Sequence, residues 1–482
     1  MKHIHFIGIC GVAMSALAIA FKKANWQVTG SDAGFFPPIS THLKDAGVDF
    51  YPGWHVENMV AKGVPDMVVV GNVASSTNPE WEYVQSHHIQ YKSYPEILAE
   101  YFIKKNSIVC AGTYGKTSSS VLLSFILSEA DYDPSYMFGG LANLPSPSRG
   151  GLGRGDVVEK NDIQFPSAAL SESAYSVVEG DEYKSARFDN RPKFAHYSPT
   201  HLLLTAIVWD HADVYPTEKS YFDAFATLIA SVPTTGSIVV CIDNEKAKHM
   251  TDDCTATRIT YGADGHADYQ YANIEQTKNG LSFTVTNQKN TWQIESPMLG
   301  IYQVTNITGC MAMAATVGIA PEKSIQSIKK FTGMKRRLEK RFVGDITIFD
   351  DIAHSPAKAK STLDTLRTLY SGKIICVFEP NTGNRQTAAI PGYDHAFDSA
   401  EEVIIPTLTK IKKDIHEKDE PIDSEQLAEI ISRTHTNTTS IIDDKKLITH
   451  LKQSTHSGDV IVFLGSHGFR GMIDELIHRV SS

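Results

Sequence analysis

Apolar runs of strand length alternate with helical segments along most of this 482-residue chain. Near the start, the run HIHFIGI is followed by the helical segment ALAIAFKKA, the runs WQVTGSD and DMVVVGN, and a second helical segment near PEWEYVQSHH. Strands and helices that alternate in this way build a parallel sheet covered by helices. The pattern predicts a Rossmann-like α/β domain over residues 1–105.

A second unit starts where the apolar run IVCAG leads into a Gly-Lys-Thr turn and the helical segment SSSVLLSFILSEA. Strands are predicted at YSVVE, HLLLTAIVW and GSIVVCID, and helices at 309–317 and 321–331 complete a domain over 106–333. Residues 141–172 are rich in Pro, Gly and Ser and lack periodicity, which predicts a long surface loop.

The last third of the chain repeats the strand and helix alternation. From Ile346 onward, the runs ITIFDD, KIICVFEP, EVIIPT, TSIID and DVIVFLG are separated by helical segments. They predict a second Rossmann-like domain, over 334–482. Because single hydrophobic cores stop growing at roughly 250–300 residues, a chain of this length is expected to form about three domains. The predicted fold class is therefore α/β with three domains.

Composition and charge narrow the possible partners. Hydrophobic residues make up 42% of the chain, charged residues 21%, and the formal net charge is -10. Nucleic acids and anionic membranes require a dense cationic face, so neither is expected as a partner. No apolar run approaches the roughly 20 residues that span a bilayer, and the N-terminus lacks the features of a signal peptide. Six scattered cysteines without a CxxC pair predict a cytoplasmic protein with reduced thiols.

The segment CAGTYGKT (110–117) has the residue types of a phosphate-binding loop and lies between a predicted strand and helix. Gly115 lets backbone amides approach an anion, Lys116 neutralises its charge, and the Thr117 hydroxyl is a magnesium ligand. Cys110 replaces the first glycine of the usual GxxxxGK[ST] pattern, so the match is incomplete. The alternative is a glycine turn with a surface lysine. We expect a P-loop-type ATPase in the central domain.

Two acidic clusters stand at the ends of predicted strands of that domain. VVEGDEY ends in Glu179, Asp181 and Glu182, and WDHADVY carries Asp210 and His211. Parallel strands deliver side chains to their carboxyl edge, where ligands bind, and magnesium prefers oxygen ligands. Each cluster alone is typical of a solvated strand end. Together with the phosphate loop, they predict a magnesium site.

The opening HFIGICGVAM is similar to a dinucleotide fingerprint, with Asp32 of TGSD as its acidic partner. Gly8 and Gly11 are present, but Cys10 and Ala13 occupy the other glycine positions of GxGxxG. A helix N-terminus at this position would still hold a diphosphate on backbone amides. A nicotinamide-dependent oxidoreductase is one alternative function, and the missing glycines count against it. The other interpretation is a tight turn without a ligand.

A cationic run, GMKRRLEKR (333–341), precedes FDDIAHSP (349–356) at the expected start of the third domain. Charge runs are usually solvated faces. At a domain hinge, a mobile cation such as Arg337 would reach a transferring phosphoryl group.

The motifs GICGVAM, TGSD, GTYGKTS, VVEGDEY, WDHADVY, GIYQVTN, MKRRLE and FDDIAHSP occur in an order and spacing that resembles the Mur ligase family over nearly the whole chain. This resemblance implies an ADP-forming amide ligase that uses ATP and Mg²⁺. It also implies an N-terminal domain for a UDP-sugar, a central domain for ATP and a C-terminal domain for the incoming amine. A non-catalytic UDP-sugar sensor with the same fold is the alternative, against which the intact phosphate loop counts.

The resemblance further implies individual site residues, and Gln303 and Ser355 depart from the residues usual in the family. The expected catalytic residues are Lys116, Glu179, His211 and Arg337, and the expected metal ligands are Thr117, Glu179 and His211. The expected ATP contacts are Gly112, Thr113, Gly115, Lys116, Thr117, Ser118, Asn306, Arg337 and Asp351. The expected UDP-sugar contacts are Gly8, Cys10, Gly11, Ser31 and Asp32.

The resemblance also bears on the substrates. Phe225 stands where several Mur ligases carry a carbamylated lysine, as in the branch that acts directly on UDP-N-acetylmuramate. The segments DEY, FPPIST, VVVGN, VFEP (377–380) and GSHGFRGM (465–472) resemble members that add the tripeptide L-alanyl-γ-D-glutamyl-meso-diaminopimelate during peptidoglycan recycling. The reaction is expected to pass through an acyl phosphate. Free L-alanine, as in de novo peptidoglycan synthesis, is the alternative amine, and a monomer or weak homodimer is expected.

Overall fold

The computed structural model describes residues 1–35, 39–142, 165–210, 214–409 and 421–481. Three main β-sheets, each with its own helices, follow one another along the chain, so the predicted three-domain α/β class is confirmed. His211 and most of the predicted 141–172 loop lie outside the described residues. Over the described ranges, no helix combines the length and apolar character needed to cross a membrane.

The N-terminal unit alternates strands and helices, namely β1 (His3–Ile7), α1 (Val12–Lys23), β2 (Gln27–Asp32), α2 (Ile39–Asp45), β3 (Asp49–Pro52), α3 (Val56–Val60), β4 (Met67–Val70), α4 (Pro79–Ser86), β5 (Tyr91–Ser93) and α5 (Tyr94–Ile97). The strands are parallel in the order β3-β2-β1-β4-β5. Strands β1 and β4 are buried along their whole length, which explains their largely apolar sequences. The ends of β1 and β2 place the Gly8 turn and Asp32 next to each other.

The central unit contains β6 (Asn106–Ala111), α6 (Lys116–Glu129), β7 (Ser135–Met137), β8 (Ala168–Ala169), β9 (Tyr175–Gly180), β10 (Lys184–Ala186), β11 (Asp189–Pro192), β12 (His201–Leu204), α7 (Glu218–Ser231), β13 (Ser237–Cys241), α8 (Glu245–Met250), β14 (Thr257–Gly262), β15 (Tyr269–Thr277), β16 (Gly280–Thr286), β17 (Thr291–Ser296), α9 (Tyr302–Thr316) and α10 (Pro321–Lys330). Its large sheet has the order β17-β16-β15-β14-β13-β12-β6-β9-β7-β8. Strands β10 and β11 form a separate hairpin.

Three neighbouring parallel strands of this sheet end at the same level. Ala111 of β6 pairs with Gly180 of β9 on one side and with Leu204 of β12 on the other. The loops that follow these strands therefore meet at one edge of the sheet. Helices α6 and α9 pack beside each other on the sheet through an apolar core that includes Ile126 and Ile307.

The C-terminal unit contains β18 (Glu339–Val343), β19 (Thr347–Asp351), α11 (Pro356–Leu369), β20 (Ile374–Glu379), β21 (Glu402–Ile405), α12 (Ser424–Ser432), β22 (Thr438–Ser440), α13 (Asp444–Ser454), β23 (Val460–Gly465) and α14 (Met472–Ser481). The sheet order is β18-β19-β23-β20-β21-β22. Only the edge strand β18 is antiparallel within this described sheet. Part of the cationic run is thus a β-strand, and β19, β23 and β20 present their carboxyl ends together.

Candidate active site

The loop between β6 and α6 requires glycine at two positions. Gly112 and Gly115 have φ angles of +139° and +86°. A Cβ on Gly112 would lie 2.1 Å from Thr205 Oγ1, and a Cβ on Gly115 would lie 2.4 Å from Asn306 Oδ1. Side chains are therefore excluded both by backbone conformation and by close neighbours. The loop is held between the end of β12 and the start of α9.

The N-terminus of α6 opens onto this loop. The first helical hydrogen bond runs from the Ser119 amide to the Gly115 carbonyl at 2.9 Å. The amides of Lys116, Thr117 and Ser118 therefore have no acceptor within the helix. Unpaired amides at a helix N-terminus, together with the helix dipole, favour a bound anion such as phosphate.

The Lys116 side chain is held by a buried carboxylate. Lys116 Nζ lies 3.1 and 3.2 Å from the two Glu182 carboxylate oxygens. The two side chains are 12% and 1% exposed, respectively. Burial alone would lower the pKa of Lys116, but the charges of Glu182, Asp181 and Glu179 raise that pKa above its ordinary value. Lys116 is thus a fixed cation next to the helix N-terminus.

Thr117 and Glu179 place a hydroxyl and a carboxylate side by side. Thr117 Oγ1 donates to Glu179 Oε1 at 2.5 Å, and the Gly139 amide donates to Glu179 Oε2 at 2.7 Å. Burial and then the neighbouring Asp181 raise the pKa of Glu179 to about 7, although both hydrogen bonds and Lys116 oppose the rise. A cation bound beside Glu179 would therefore stabilise its ionised form and lower its pKa.

Thr113 has a structural place in the loop. Its amide donates to the Ala206 carbonyl at 2.7 Å, and its hydroxyl lies 2.7 Å from the Val208 carbonyl and 2.8 Å from the Tyr221 hydroxyl. Both donor groups of Thr113 are therefore engaged inside the protein. Thr113 ties the glycine loop to the segment that follows β12.

Asn306 lies against the glycine loop from the side of α9. Its amide nitrogen donates to Gln303 Oε1 at 3.0 Å, and both side chains are buried. Gln303, which departs from the family pattern, therefore supports Asn306. Tyr302 at the start of α9 is half exposed and lies within electrostatic range of Asp351 and Arg337 of the third domain.

The third domain contributes the buried Asp351 and the exposed Arg337 near the start of α9. The Asp351 carboxylate accepts the Leu338 and Ala353 amides, each at 2.7 Å. Arg337 is exposed and makes no hydrogen bond to a described residue. The neighbouring Arg336 is instead fixed, because it donates to Asp350 and to backbone carbonyls of the turn after β23. Arg337 is thus the cation of this run that faces solvent.

In the N-terminal domain, Asp32 holds the turn after β1. Its Oδ2 accepts the Cys10 amide at 2.8 Å and its Oδ1 accepts the Ala33 amide at 2.7 Å. The Gly8 amide donates to the Ser31 carbonyl at 2.8 Å, and the Ser31 hydroxyl donates to buried Glu80. The amides of 12–14, at the start of α1, have no acceptor within the helix. Open amides at a helix N-terminus favour a bound anion such as phosphate.

Three family models match this chain in succession. Residues 3–105 match the model described as "Mur ligase family, catalytic domain", 110–314 the "Mur ligase middle domain", and 336–467 the "Mur ligase, glutamate ligase domain". The chain belongs to the Mur ligase family. The family resemblance of its motifs is therefore confirmed, and the oxidoreductase alternative is not supported.

Named relatives of this Mur ligase fall into two groups. The UDP-N-acetylmuramate–L-alanyl-gamma-D-glutamyl-meso-2,6-diaminoheptandioate ligase of Haemophilus influenzae is 31% identical over 388 residues, or 79% of this chain and 80% of that protein. The UDP-N-acetylmuramate–L-alanine ligase of Clostridium acetobutylicum is 27% identical over 96% of this chain and 95% of that protein. A murein peptide ligase structure from Psychrobacter arcticus superposes with a TM-score of 0.70 at 26% identity, covering 100% of this chain and 99% of that one.

The fold brings several of the expected site residues of this Mur ligase together. Lys116, Thr117 and Glu179 meet at the edge formed by β6 and β9, and Asn306 borders the same loop. In the described ranges, no group of three or more His, Cys, Asp or Glu side chains is arranged to hold a metal, and His211 lies outside those ranges. Glu182 was expected only as a member of the acidic cluster, whereas the structure pairs it with Lys116. Its position in VVEGDEY was visible, but its pairing with Lys116 depends on strand register.

Proposed function

We propose that this Mur ligase joins UDP-N-acetylmuramate to L-alanyl-γ-D-glutamyl-meso-diaminopimelate and converts ATP to ADP and phosphate. The observation that carries the proposal is the convergence of the glycine loop, Lys116, Thr117 and Glu179 at one sheet edge. The Haemophilus influenzae relative is named for these two substrates.

The proposed reaction has two steps, because a carboxylate needs a leaving group before an amine can displace an oxygen from it. A lactoyl carboxylate oxygen of the muramyl group first attacks the γ-phosphorus of ATP, and the bond to the bridging oxygen breaks to release ADP. The α-amine of the peptide's L-alanine then attacks the acyl carbon. The amide bond forms, the amine loses a proton, and inorganic phosphate leaves.

Lys116 and the amides of 116–118 are proposed to hold the β- and γ-phosphates. A fixed cation and preorganised N–H donors stabilise the charge that develops on the transferring phosphoryl group. The raised pKa of Lys116 supports this role, because it keeps the side chain charged. Gly112 and Gly115 allow the phosphates to approach the backbone.

Thr117 and Glu179 fit a magnesium ion. Magnesium is commonly bound through one or two carboxylates together with phosphate oxygens and water, and these side chains offer a hydroxyl and a carboxylate 2.5 Å apart. When bound, the ion would neutralise phosphate charge and polarise the γ-phosphoryl group. His211 is proposed to contribute to a second ion.

The remaining nucleotide and sugar contacts are also proposals. Asn306 borders the glycine loop and is proposed to contact ATP, and Arg337 and Asp351 would approach from the third domain. The expected UDP-sugar contacts surround the start of α1, whose open amides suit a diphosphate. These contacts are Gly8, Cys10, Gly11, Ser31 and Asp32.

We further propose boundaries at 105/106 and 333/334 between the UDP-sugar, ATP and amine domains. A cytoplasmic location is supported by the six cysteines, all of which are unpaired. Free L-alanine is the second candidate amine, because L-alanine ligases match nearly the whole chain. The monomer or weak homodimer stays a prediction.

The test is an ADP-release assay with UDP-N-acetylmuramate and either the tripeptide or L-alanine at matched concentrations. We expect ADP release that requires the UDP-sugar and is much faster with the tripeptide. A strong preference for L-alanine would replace the tripeptide by the second candidate. No release with either amine would refute the proposed function.

A further inference from the structure

Two segments whose side chains have no assigned contacts so far, VFEP (377–380) and GSHGFRGM (465–472), meet at the carboxyl edge of the third sheet. Glu379 at the end of β20 pairs in register with Gly465 at the end of β23. Glu379 Oε1 lies 3.6 Å from His467 Nδ1, and Glu379 Oε2 lies 3.8 Å from Arg470 Nη1. We call Glu379, His467 and Arg470 the distal cluster.

Glu379 is the buried member of the distal cluster. Its side chain is 1% exposed, and its Oε1 accepts the amide and the hydroxyl of Thr409 at 2.9 and 2.6 Å. Its Oε2 is buried and accepts no hydrogen bond from a described residue. A buried carboxylate that is only partly hydrogen-bonded is rare unless it has a specific task. Here its charge lies directly beneath two nitrogen-bearing side chains.

Arg470 and His467 form the outer face of the distal cluster, with side chains 35% and 51% exposed. Arg470 donates from Nε and Nη2 to the Asp444 carboxylate and from Nη1 to the Thr407 carbonyl, at 2.8–2.9 Å. A guanidinium has five N–H donors, so one remains on each terminal nitrogen. Two donors in this arrangement suit a carboxylate.

The backbone that presents Arg470 is strained. Phe469 and Arg470 have φ angles of +49° and +53°, in the left-handed region that non-glycine residues seldom occupy. Phe469 is fully buried, with its ring centroid 5.1 Å from that of Phe463. The buried ring therefore anchors the turn. Strained backbone that is held in place by surrounding packing is concentrated at functional sites.

The distal cluster lies about the length of an extended tripeptide from Asp351, a proposed nucleotide contact. Asp351 at the end of β19 pairs with Leu464 of β23, and β23 pairs in turn with β20. Neighbouring strands are about 4.8 Å apart, so Asp351 and Glu379 are separated by about 10 Å. An extended tripeptide spans about 10 Å, whereas a single amino acid does not.

We propose that the distal cluster binds a carboxylate of the third residue of the incoming peptide. Arg470 and His467 donate to that carboxylate, and Glu379 is a positioning residue that orients both. The inference rests on the proposed function, which supplies the peptide. It explains how the third domain selects a tripeptide over L-alanine, because free L-alanine has no third-residue carboxylate for this cluster to bind.

The experiment compares KM and kcat for the tripeptide and for the dipeptide L-alanyl-γ-D-glutamate, which lacks the third residue. In Arg470→Gln, KM for the tripeptide is expected to rise on the order of tenfold to a hundredfold while kcat at saturation is kept. KM for the dipeptide is expected to stay at the wild-type value. His467→Gln changes an exposed side chain and should shift KM in the same direction by a smaller factor.

Two further variants separate binding from folding. Arg479→Gln removes an arginine of an exposed ion pair on α14 and should leave both substrates unaffected. Glu379→Gln keeps the side-chain shape and should raise tripeptide KM without lowering kcat, whereas a merely structural role would lower the melting temperature and kcat together.

The outcomes distinguish this inference from the proposed function. If wild-type protein turns over the tripeptide but the distal-cluster variants affect tripeptide and dipeptide equally, or neither, the inference is wrong and the proposed function stands. If wild-type protein releases no ADP with any peptide, both are wrong.

Discussion

Replacing Lys116 by methionine should cost stability as well as activity. Glu182, the partner of Lys116, is 1% exposed, and its carboxylate lies 3.1 Å from Lys116 Nζ. Removing one member of a buried ion pair leaves a charge that has lost both its solvation and its counterion, at a cost of about 3–5 kcal/mol. Because Lys116 itself retains some exposure, we expect the free energy of unfolding to fall by about 3 kcal/mol, the lower end of this range. Urea unfolding of wild-type and variant proteins measures the difference.

The double variant Lys116→Met/Glu182→Gln removes both charges. Its free energy of unfolding should return to within about 1 kcal/mol of wild type, while ADP release stays absent. Glu182→Gln alone is the matched control, and it should retain measurable ADP release because Lys116 is present. A double variant as unstable as Lys116→Met would refute the buried-charge argument. ADP release by the double variant would refute the role of Lys116.

Two other predictions concern Glu179 and the glycine loop. Because the pKa of Glu179 is raised to about 7, protons compete with magnesium below that pH. The magnesium concentration for half-maximal ADP release should therefore rise as pH falls below about 7, and a requirement that is constant from pH 6 to pH 8 would contradict this role of Glu179. Gly115→Ala should cost about 1–2 kcal/mol for its positive φ and raise KM for ATP by displacing Asn306. Gly383→Ala, at an open position, is the control, and equal KM values in both variants would disprove the argument.

The three-sheet architecture was predictable because the buried parallel strands appear in sequence as apolar runs. Strand β9 and strand β12 were found in this way, and the polar residues after them were expected at one edge. Strand β15 was missed because most of its residues are at least partly exposed. It pairs in parallel with β14 and antiparallel with β16, and none of its residues is fully buried.

The candidate site was only partly predictable, because side-chain partners depend on register and packing. Lys116 and Glu179 were identified from their motifs, but nothing local to the sequence indicates that Glu182 holds Lys116. Likewise, Thr113 lies inside the phosphate-loop motif, yet its donors are engaged within the protein. The pairing of Glu379 with Gly465 depends on two strands about 85 residues apart.

The central claim is that an acyl phosphate forms on the sugar-borne carboxylate. It is tested most directly with UDP-N-acetylmuramate labelled with ¹⁸O in both carboxylate oxygens, with ATP and the tripeptide as co-substrates. The account predicts that one labelled oxygen appears in the inorganic phosphate released for each amide formed. Phosphate without label, alongside amide product, would contradict it.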